Sequence, residues 1–61
     1  MNNLKELRKR RNLTQKMLAE QLKMSQQALS RIERGERELT ETNIKFICKE
    51  LKITPNDLIK W

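Results

Sequence analysis

Two short amphipathic segments joined by a very tight turn, within residues 13–35, constrain the fold more than any other feature of the chain. Each segment has apolar residues at the i, i+1 and i+4 spacing of one helical face. The two sets are Leu18, Ala19 and Leu22, then Ala28, Leu29 and Ile32. Only Lys23 and Met24 separate the first set from Ser25, where the second helix must begin. A steep two-helix corner whose second helix carries polar and basic side chains is the geometry of a DNA-reading helix-turn-helix.

The composition limits the chain to a small protein without a set of catalytic groups. It has 61 residues, of which 36% are apolar, so we expect a single domain over residues 1–61 with no deep substrate cavity. It has no His and one Cys, so we expect no intrachain disulfide, no metal, no cofactor and no enzyme activity. Because no apolar run has the length of a signal sequence or a membrane span, we expect a cytoplasmic protein.

The positive charge is concentrated in the half of the chain that contains this corner. Residues 1–34 hold nine basic and three acidic side chains, whereas residues 35–61 hold five of each, so the first half accounts for the net charge of +6. A basic surface can simply be solvated, but its coincidence with the corner favours attraction of a polyanion such as duplex DNA.

Four hydroxyl residues predict helix starts, because each follows an apolar residue and precedes another by four positions. They are Thr14, Ser25, Thr40 and Thr54. A hydroxyl N-cap inside such a hydrophobic staple stabilises a helix by about 1 kcal/mol. In the last of these helices, Pro55 stands at the first helical position and Asp57 predicts an acidic capping box.

Asparagine and glycine residues predict the remaining helix boundaries. Asn3 with Glu6 predicts a similar cap for the first helix, and Asn12 and Gly35 predict helix ends. Together these patterns predict five helices, over residues 3–11, 14–22, 25–34, 40–51 and 55–60.

The fourth helix carries the clearest apolar stripe and predicts an all-α fold around one core. Ile44, Ile47, Cys48 and Leu51 fall at i, i+3, i+4 and i+7. We interpret Cys48 as a small buried hydrophobe rather than a redox sensor. The predicted core is Leu4, Leu7, Leu13, Leu18, Ala19, Leu22, Leu29, Ile32, Leu39, Ile44, Ile47, Leu51, Ile53 and Leu58.

The third helix presents a polar face opposite its apolar stripe. Gln26, Gln27, Ser30, Arg31 and Arg34 occupy an arc of about 140°. Gln can bond bidentately to adenine and Arg to guanine in the major groove. Each of these residues could also be a solvated helix former, but the set as a whole favours base reading.

From Leu4 to Ile59, the chain resembles the phage repressor and Cro-type (XRE-family) helix-turn-helix proteins. The match is carried by Arg8, Leu13-Thr14-Gln15, Leu18-Ala19, Leu22, Met24-Ser25, Ile32-Glu33, Gly35, Ile44, Leu51, Ile53 and Leu58. The resemblance implies a compact five-helix, lambda-repressor-like fold whose helices 2 and 3 form the helix-turn-helix. It also implies a bacterial or phage-encoded, nucleoid-associated transcriptional regulator, expected to be a repressor that binds a palindromic operator as a homodimer.

The resemblance further implies roles for individual residues. Gln26, Gln27 and Arg31 would read base edges, with Ser30 beside them. Phosphate contacts would come from Gln15, Lys16, Ser25, Arg34, Arg37 and Thr40. Arg8 and Glu33 match an ion pair between helices 1 and 3 that would orient the recognition helix more than it stabilises the fold.

Two departures from the family pattern carry expectations of their own. Lys23 occupies a turn position that is often Gly, so we expect a positive φ there at a cost of about 1 kcal/mol. Three acids in residues 36–41 replace the basic residues that family members often have after helix 3, so we expect a smaller phosphate footprint on that side.

The oligomeric state and the function class leave alternatives open. Phe46, opposite the apolar stripe of helix 4, and Trp61 are candidate dimer contacts. Phe46 could equally fold along its own helix or under the C-terminal tail. The alternative function is an antitoxin or other partner-binding protein with this fold, although antitoxins usually carry a disordered segment. A non-specific nucleoid binder would need the charge but not the glutamine-rich face.

Overall fold

The structure, a computed structural model, describes residues 2–59 and consists of five helices. They are α1 (Leu4–Arg10), α2 (Gln15–Gln21), α3 (Gln26–Glu33), α4 (Glu41–Leu51) and α5 (Pro55–Leu58). Within residues 2–59, the only β pairing is an isolated antiparallel bridge between Asn2 and Ile59. The all-α, five-helix prediction is confirmed, with α2 and α3 in contact. The predicted end of the last helix is wrong, because Ile59 is already extended; residue 60 lies outside the described part.

The four hydroxyl caps form as predicted. The side chains of Thr14, Ser25, Thr40 and Thr54 each accept a hydrogen bond from the backbone N–H three residues on, at 3.0–3.3 Å. The capping box of Thr54 is also confirmed, since Asp57 accepts from the Thr54 N–H. The Thr54 backbone N–H and the Thr54 hydroxyl both donate to Asp57 Oδ2, at 3.1 and 3.0 Å, and together they hold the pKa of the Asp57 carboxyl below its ordinary value.

The predicted side-chain cap of Asn3 is wrong. Its side chain makes no cap hydrogen bond; instead the neighbouring Asn2 accepts from the Leu4 N–H through Oδ1 at 3.0 Å. The four hydroxyl caps have extended backbone with ψ between 154° and 164°, which directs the side chain back over the first turn. Asn3 has ψ of 14° and therefore directs its side chain elsewhere.

Four helices end in the same way, at a residue with positive φ. These residues are Asn12, Lys23, Gly35 and Lys52, with φ of 57°, 57°, 77° and 56°. In each case the next amide donates to the carbonyl five residues earlier, as Met24 N does to Ala19 O at 3.0 Å. The helix ends predicted at Asn12 and Gly35 and the positive φ predicted at Lys23 are confirmed, whereas the positive φ of Lys52 was not predicted.

The core lies where the five helices meet. Its buried residues are Leu4, Leu18, Ala19, Leu22, Leu29, Ile32, Ile47, Cys48, Leu51 and Leu58. The other predicted core residues are only partly buried and pack around its edge: Leu7, Leu13, Leu39, Ile44 and Ile53. Cys48 is buried as predicted, and burial, with the nearby negative charge of Asp57, raises the pKa of its thiol. No helix within residues 2–59 combines the length and the apolar character needed to cross a membrane.

Candidate nucleic-acid interface

The outer face of α3 is built on two fully buried anchors. Leu29 and Ile32 lie in the core, so the opposite side of this short helix is turned to solvent. Four of the five predicted polar residues on that side are exposed, and one is half-buried. The exposed residues are Gln26, Gln27, Arg31 and Arg34, and the half-buried one is Ser30. The sequence-based helical wheel and the structure therefore give α3 the same exposed face.

The predicted ion pair between Arg8 and Glu33 is present and almost buried. Arg8 donates through Nε to Glu33 Oε2 at 2.8 Å and through Nη2 to Oε1 at 3.2 Å, a bidentate arrangement. The third guanidinium bond runs from Nη1 to the carbonyl of Leu13 at 3.0 Å. The side chains are 13% and 2% exposed. Arg8 therefore ties the last turn of α3 both to α1 and to the start of the α2 segment.

Gln15 connects this ion pair to the first residue of α3. Its Nε2 donates to Glu33 Oε1 at 3.1 Å, and its Oε1 accepts from Gln26 Nε2 at 3.5 Å. Because Glu33 only accepts, the amide of Gln15 must turn its oxygen toward Gln26. Gln26 then keeps its own oxygen and one N–H for other partners.

This chain of hydrogen bonds, the Glu33–Gln15–Gln26 relay, was missed by reasoning from the sequence, which assigned Gln15 to a phosphate. In this structure Gln15 is half-buried and already bonded to two protein side chains. One of its amide hydrogens is still free for a phosphate, since an amide nitrogen carries two. The only sequence signal was the placement of the two glutamines at the first positions of α2 and α3.

The other predicted phosphate contacts fall into two kinds. Lys16 and Arg37 are exposed cations. Ser25 and Thr40 are exposed N-caps whose hydroxyls accept from Ala28 and Asn43. Each hydroxyl therefore keeps its hydrogen to donate to an anion at a helix start.

Arg34, the remaining predicted phosphate contact, is already paired. Its Nε lies 3.1 Å from Glu36 Oε2 in an ion pair whose two side chains are 60% and 55% exposed. Glu36 belongs to the acidic segment, residues 36–41, for which the sequence analysis predicted a smaller phosphate footprint. An anionic ligand at Arg34 must therefore compete with this carboxylate.

Of the two candidate dimer contacts, only Phe46 lies within the described residues. Phe46 is partly buried and packs against the core, and its role as a dimer contact stays a prediction. Met17 on α2, not Phe46, is the exposed large hydrophobic residue within residues 2–59. Trp61 lies outside the described residues.

Metal-ligating and titratable side chains were located relative to the α3 face. Residues 2–59 contain no group of three or more Cys, Asp or Glu side chains placed to hold a metal ion. Asp57 and Cys48, the two groups whose pKa departs from its ordinary value, lie on α5 and α4 rather than on α3.

Comparison with known proteins agrees with the geometry of the α2–α3 corner. None of the curated proteins compared with the chain matches it. A family model described as helix-turn-helix matches residues 4–58, which is most of the chain and includes all five helices. The chain therefore belongs to the helix-turn-helix (XRE) family of DNA-binding regulators.

Proposed function

We propose that this protein is a sequence-specific transcriptional regulator that represses by binding a palindromic operator in double-stranded DNA as a homodimer. In this proposal residues 1–61 form one DNA-binding domain, which acts in the cytoplasm at the nucleoid without metal or cofactor and has no enzyme activity. The observation that carries the proposal is the exposed polar face of α3 on its two buried anchors.

Base reading is supported by the residue types on that face. Gln27 and Arg31 are exposed, and their side chains have no hydrogen-bond or ion-pair partner within residues 2–59, so neither side chain must give up a protein contact to meet a base. Gln26 is held by Gln15 with its amide oxygen available, which suits the paired donor and acceptor of adenine. Arg31 suits guanine, and Ser30 lies between these residues on the same face.

Contacts with DNA phosphates around the exposed α3 face would fix the position of the protein along the duplex. Lys16 is exposed in the first turn of α2, and Ser25 starts α3 with free N–H groups beside it. Phosphates favour such helix starts because the unpaired N–H groups and the helix dipole both attract anions. Gln15, Arg34, Arg37 and Thr40 complete the proposed set.

The first test is selection of bound sequences from a random duplex library, with the Gln27→Ala variant run in parallel. The control is Gln21→Ala, because Gln21 is also an exposed glutamine but lies on α2, where it bonds to the Glu50 carbonyl. We expect an enriched site with the wild-type protein and the control, and relaxed preference at one base pair with Gln27→Ala. Enrichment of no sequence, with binding that only falls as salt rises, would contradict sequence-specific regulation.

The homodimer is tested separately on the enriched duplex. Sedimentation equilibrium should give two protein chains per duplex if the enriched site is an inverted repeat. A single chain per duplex on a non-repeated site would overturn the palindromic part of the proposal and leave base reading intact.

A further inference from the structure

We propose that Asn2 is a positioning residue for α3: its side-chain amide fixes the C-terminal end of this helix and thereby aligns Arg31 and Arg34 with DNA. The inference rests on the proposed function, because it concerns how α3 meets a duplex. It adds a residue outside the helix-turn-helix to the determinants of specificity.

A single side chain joins the start of α1 to the end of α3. Asn2 Nδ2 donates to the carbonyl of Ile32 at 3.1 Å, across 30 positions of sequence. Its Oδ1 accepts from the Leu4 N–H at 3.0 Å, which satisfies one of the free amides of the first turn of α1. The side chain is half-buried, so both bonds are partly shielded from water.

Asn2 is itself held against the end of α5. It forms the antiparallel bridge with Ile59, and the Asn3 N–H donates to Leu58 O at 2.7 Å. This backbone pairing does not need the Asn3 side chain, which bonds separately to the carbonyl of Asp57 at 3.1 Å. A shift of the end of α3 is therefore resisted through Asn2 by two other helices.

The two ends of α3 are held by different contacts. The helix has eight residues, a length of about 12 Å. Its N-terminal end is held by the Ser25 cap and by Gln15. At its C-terminal end, Arg8 holds a side chain, Glu33, whereas Asn2 holds the backbone itself.

Loss of the bond from Asn2 should consequently tilt α3 about its N-terminal end. Gln26 and Gln27 lie at the end that stays fixed, whereas Arg31 and Arg34 lie at the end that moves. Asn2 also lines, with Gly35 and Arg37, an open hollow of about 270 Å³ directly beyond this end, so space exists for the shift.

The test compares Asn2→Asp with Asn3→Asp. Both variants add one negative charge at neighbouring positions and both lose one long-range amide donor, but only Asn2 bonds to α3. Asn2→Asp keeps an oxygen for the Leu4 N–H. Asn2→Ser is the uncharged second variant, because its hydroxyl can accept from Leu4 but is too short to reach Ile32. Thermal melts fix a temperature at which all variants are folded.

The readout is affinity for the selected duplex and for duplexes with one base pair changed, with the contacted pairs assigned by Arg31→Ala and Gln27→Ala. We expect Asn2→Asp and Asn2→Ser to lose about three- to tenfold in discrimination at the Arg31 base pair. The two Asn2 variants should keep their discrimination at the base pair that Gln27 contacts. Asn3→Asp should keep its discrimination at both base pairs. Equal losses in the Asn2 and Asn3 variants, or a uniform loss at every base pair, would overturn the proposal.

Failure of the proposed function is recognised independently, as a wild-type protein without sequence preference. The positioning role is then decided on the free protein by residual dipolar couplings of α3 relative to α2. A changed orientation of α3 in Asn2→Ser supports the role, and an unchanged orientation overturns it.

Discussion

Two adjacent residues at the end of α3, Glu33 and Arg34, form ion pairs of opposite character. Glu33 pairs with Arg8 where the two side chains are 2% and 13% exposed, while Arg34 pairs with Glu36 where both are more than half exposed. Successive residues on a helix point about 100° apart, so one charge turns toward α1 and the other toward solvent. The exposure of each ion pair therefore decides its role: the buried Glu33 holds α3 against α1, whereas the exposed Arg34 remains available to a ligand.

Hydrogen bonds from two protein side chains hold both carboxylate oxygens of Glu33 in the buried pair. Its carboxylate accepts two bonds from Arg8 and one from Gln15, and residues 2–59 contain no buried side-chain polar atom without a partner. Removing one partner would leave a charge uncompensated in a place that water hardly reaches. The exposed pair has no such dependence, since water replaces either partner.

Breaking the buried pair should give the largest effect. In Arg8→Met, Glu33 keeps its charge but loses two hydrogen bonds, and we expect the free energy of unfolding to fall by about 3–5 kcal/mol. Urea denaturation at neutral pH measures this change. A loss below about 1 kcal/mol would show that Glu33 is solvated more easily than its exposure indicates.

The double variant Arg8→Met with Glu33→Leu is the control for this prediction. With both charges gone there is no uncompensated carboxylate, so most of the lost stability should return. Specific DNA affinity should not return with it, because Gln15 loses the acceptor that orients its amide toward Gln26. Recovery of both would contradict a positioning role for the buried pair.

Removing the carboxylate from the exposed pair should act on binding instead of stability. In Glu36→Gln, Arg34 loses a competing anion, and we expect affinity for the selected duplex to rise about two- to fivefold at low salt. Glu50→Gln on α4 has the same change in net charge and is the control. An equal rise in both variants would mean that net charge, not release of Arg34, sets the affinity.

Local features of this fold could be predicted from the sequence, because they depend on residues a few positions apart. The hydroxyl caps act over three residues, and the ends at Asn12 and Gly35 need only a residue that tolerates positive φ. The positive φ of Lys52 was not predicted, because a lysine gives no signal of the left-handed conformation that this residue adopts. The cap predicted at Asn3 was wrong because a side-chain cap needs extended backbone, whereas Asn3, next to the residue that pairs with Ile59, has ψ of 14°.

The candidate site was predicted less completely, because its contacts depend on how helices cross. The exposed face of α3 follows from helical periodicity alone. The Glu33–Gln15–Gln26 relay joins residues 11 and 18 positions apart, and the bond from Asn2 to Ile32 spans 30. Only the family resemblance anticipated the Arg8–Glu33 pair, because no local pattern links two charges 25 positions apart.

The smallest effect is expected for the stability contributed by the exposed pair. A double-mutant cycle with Arg34→Ala and Glu36→Ala should give a coupling free energy of about 0.2–1 kcal/mol, falling further at high salt. The matched cycle uses Lys45 and Glu41, an exposed i,i+4 pair on α4 at 3.5 Å, for which about 0.3–0.5 kcal/mol is expected. If the Arg34–Glu36 coupling clearly exceeded this reference and resisted salt, Glu36 would be a structural partner of Arg34. Arg34 would then be held in place much as Glu33 is, and the contrast between the two ion pairs would fail.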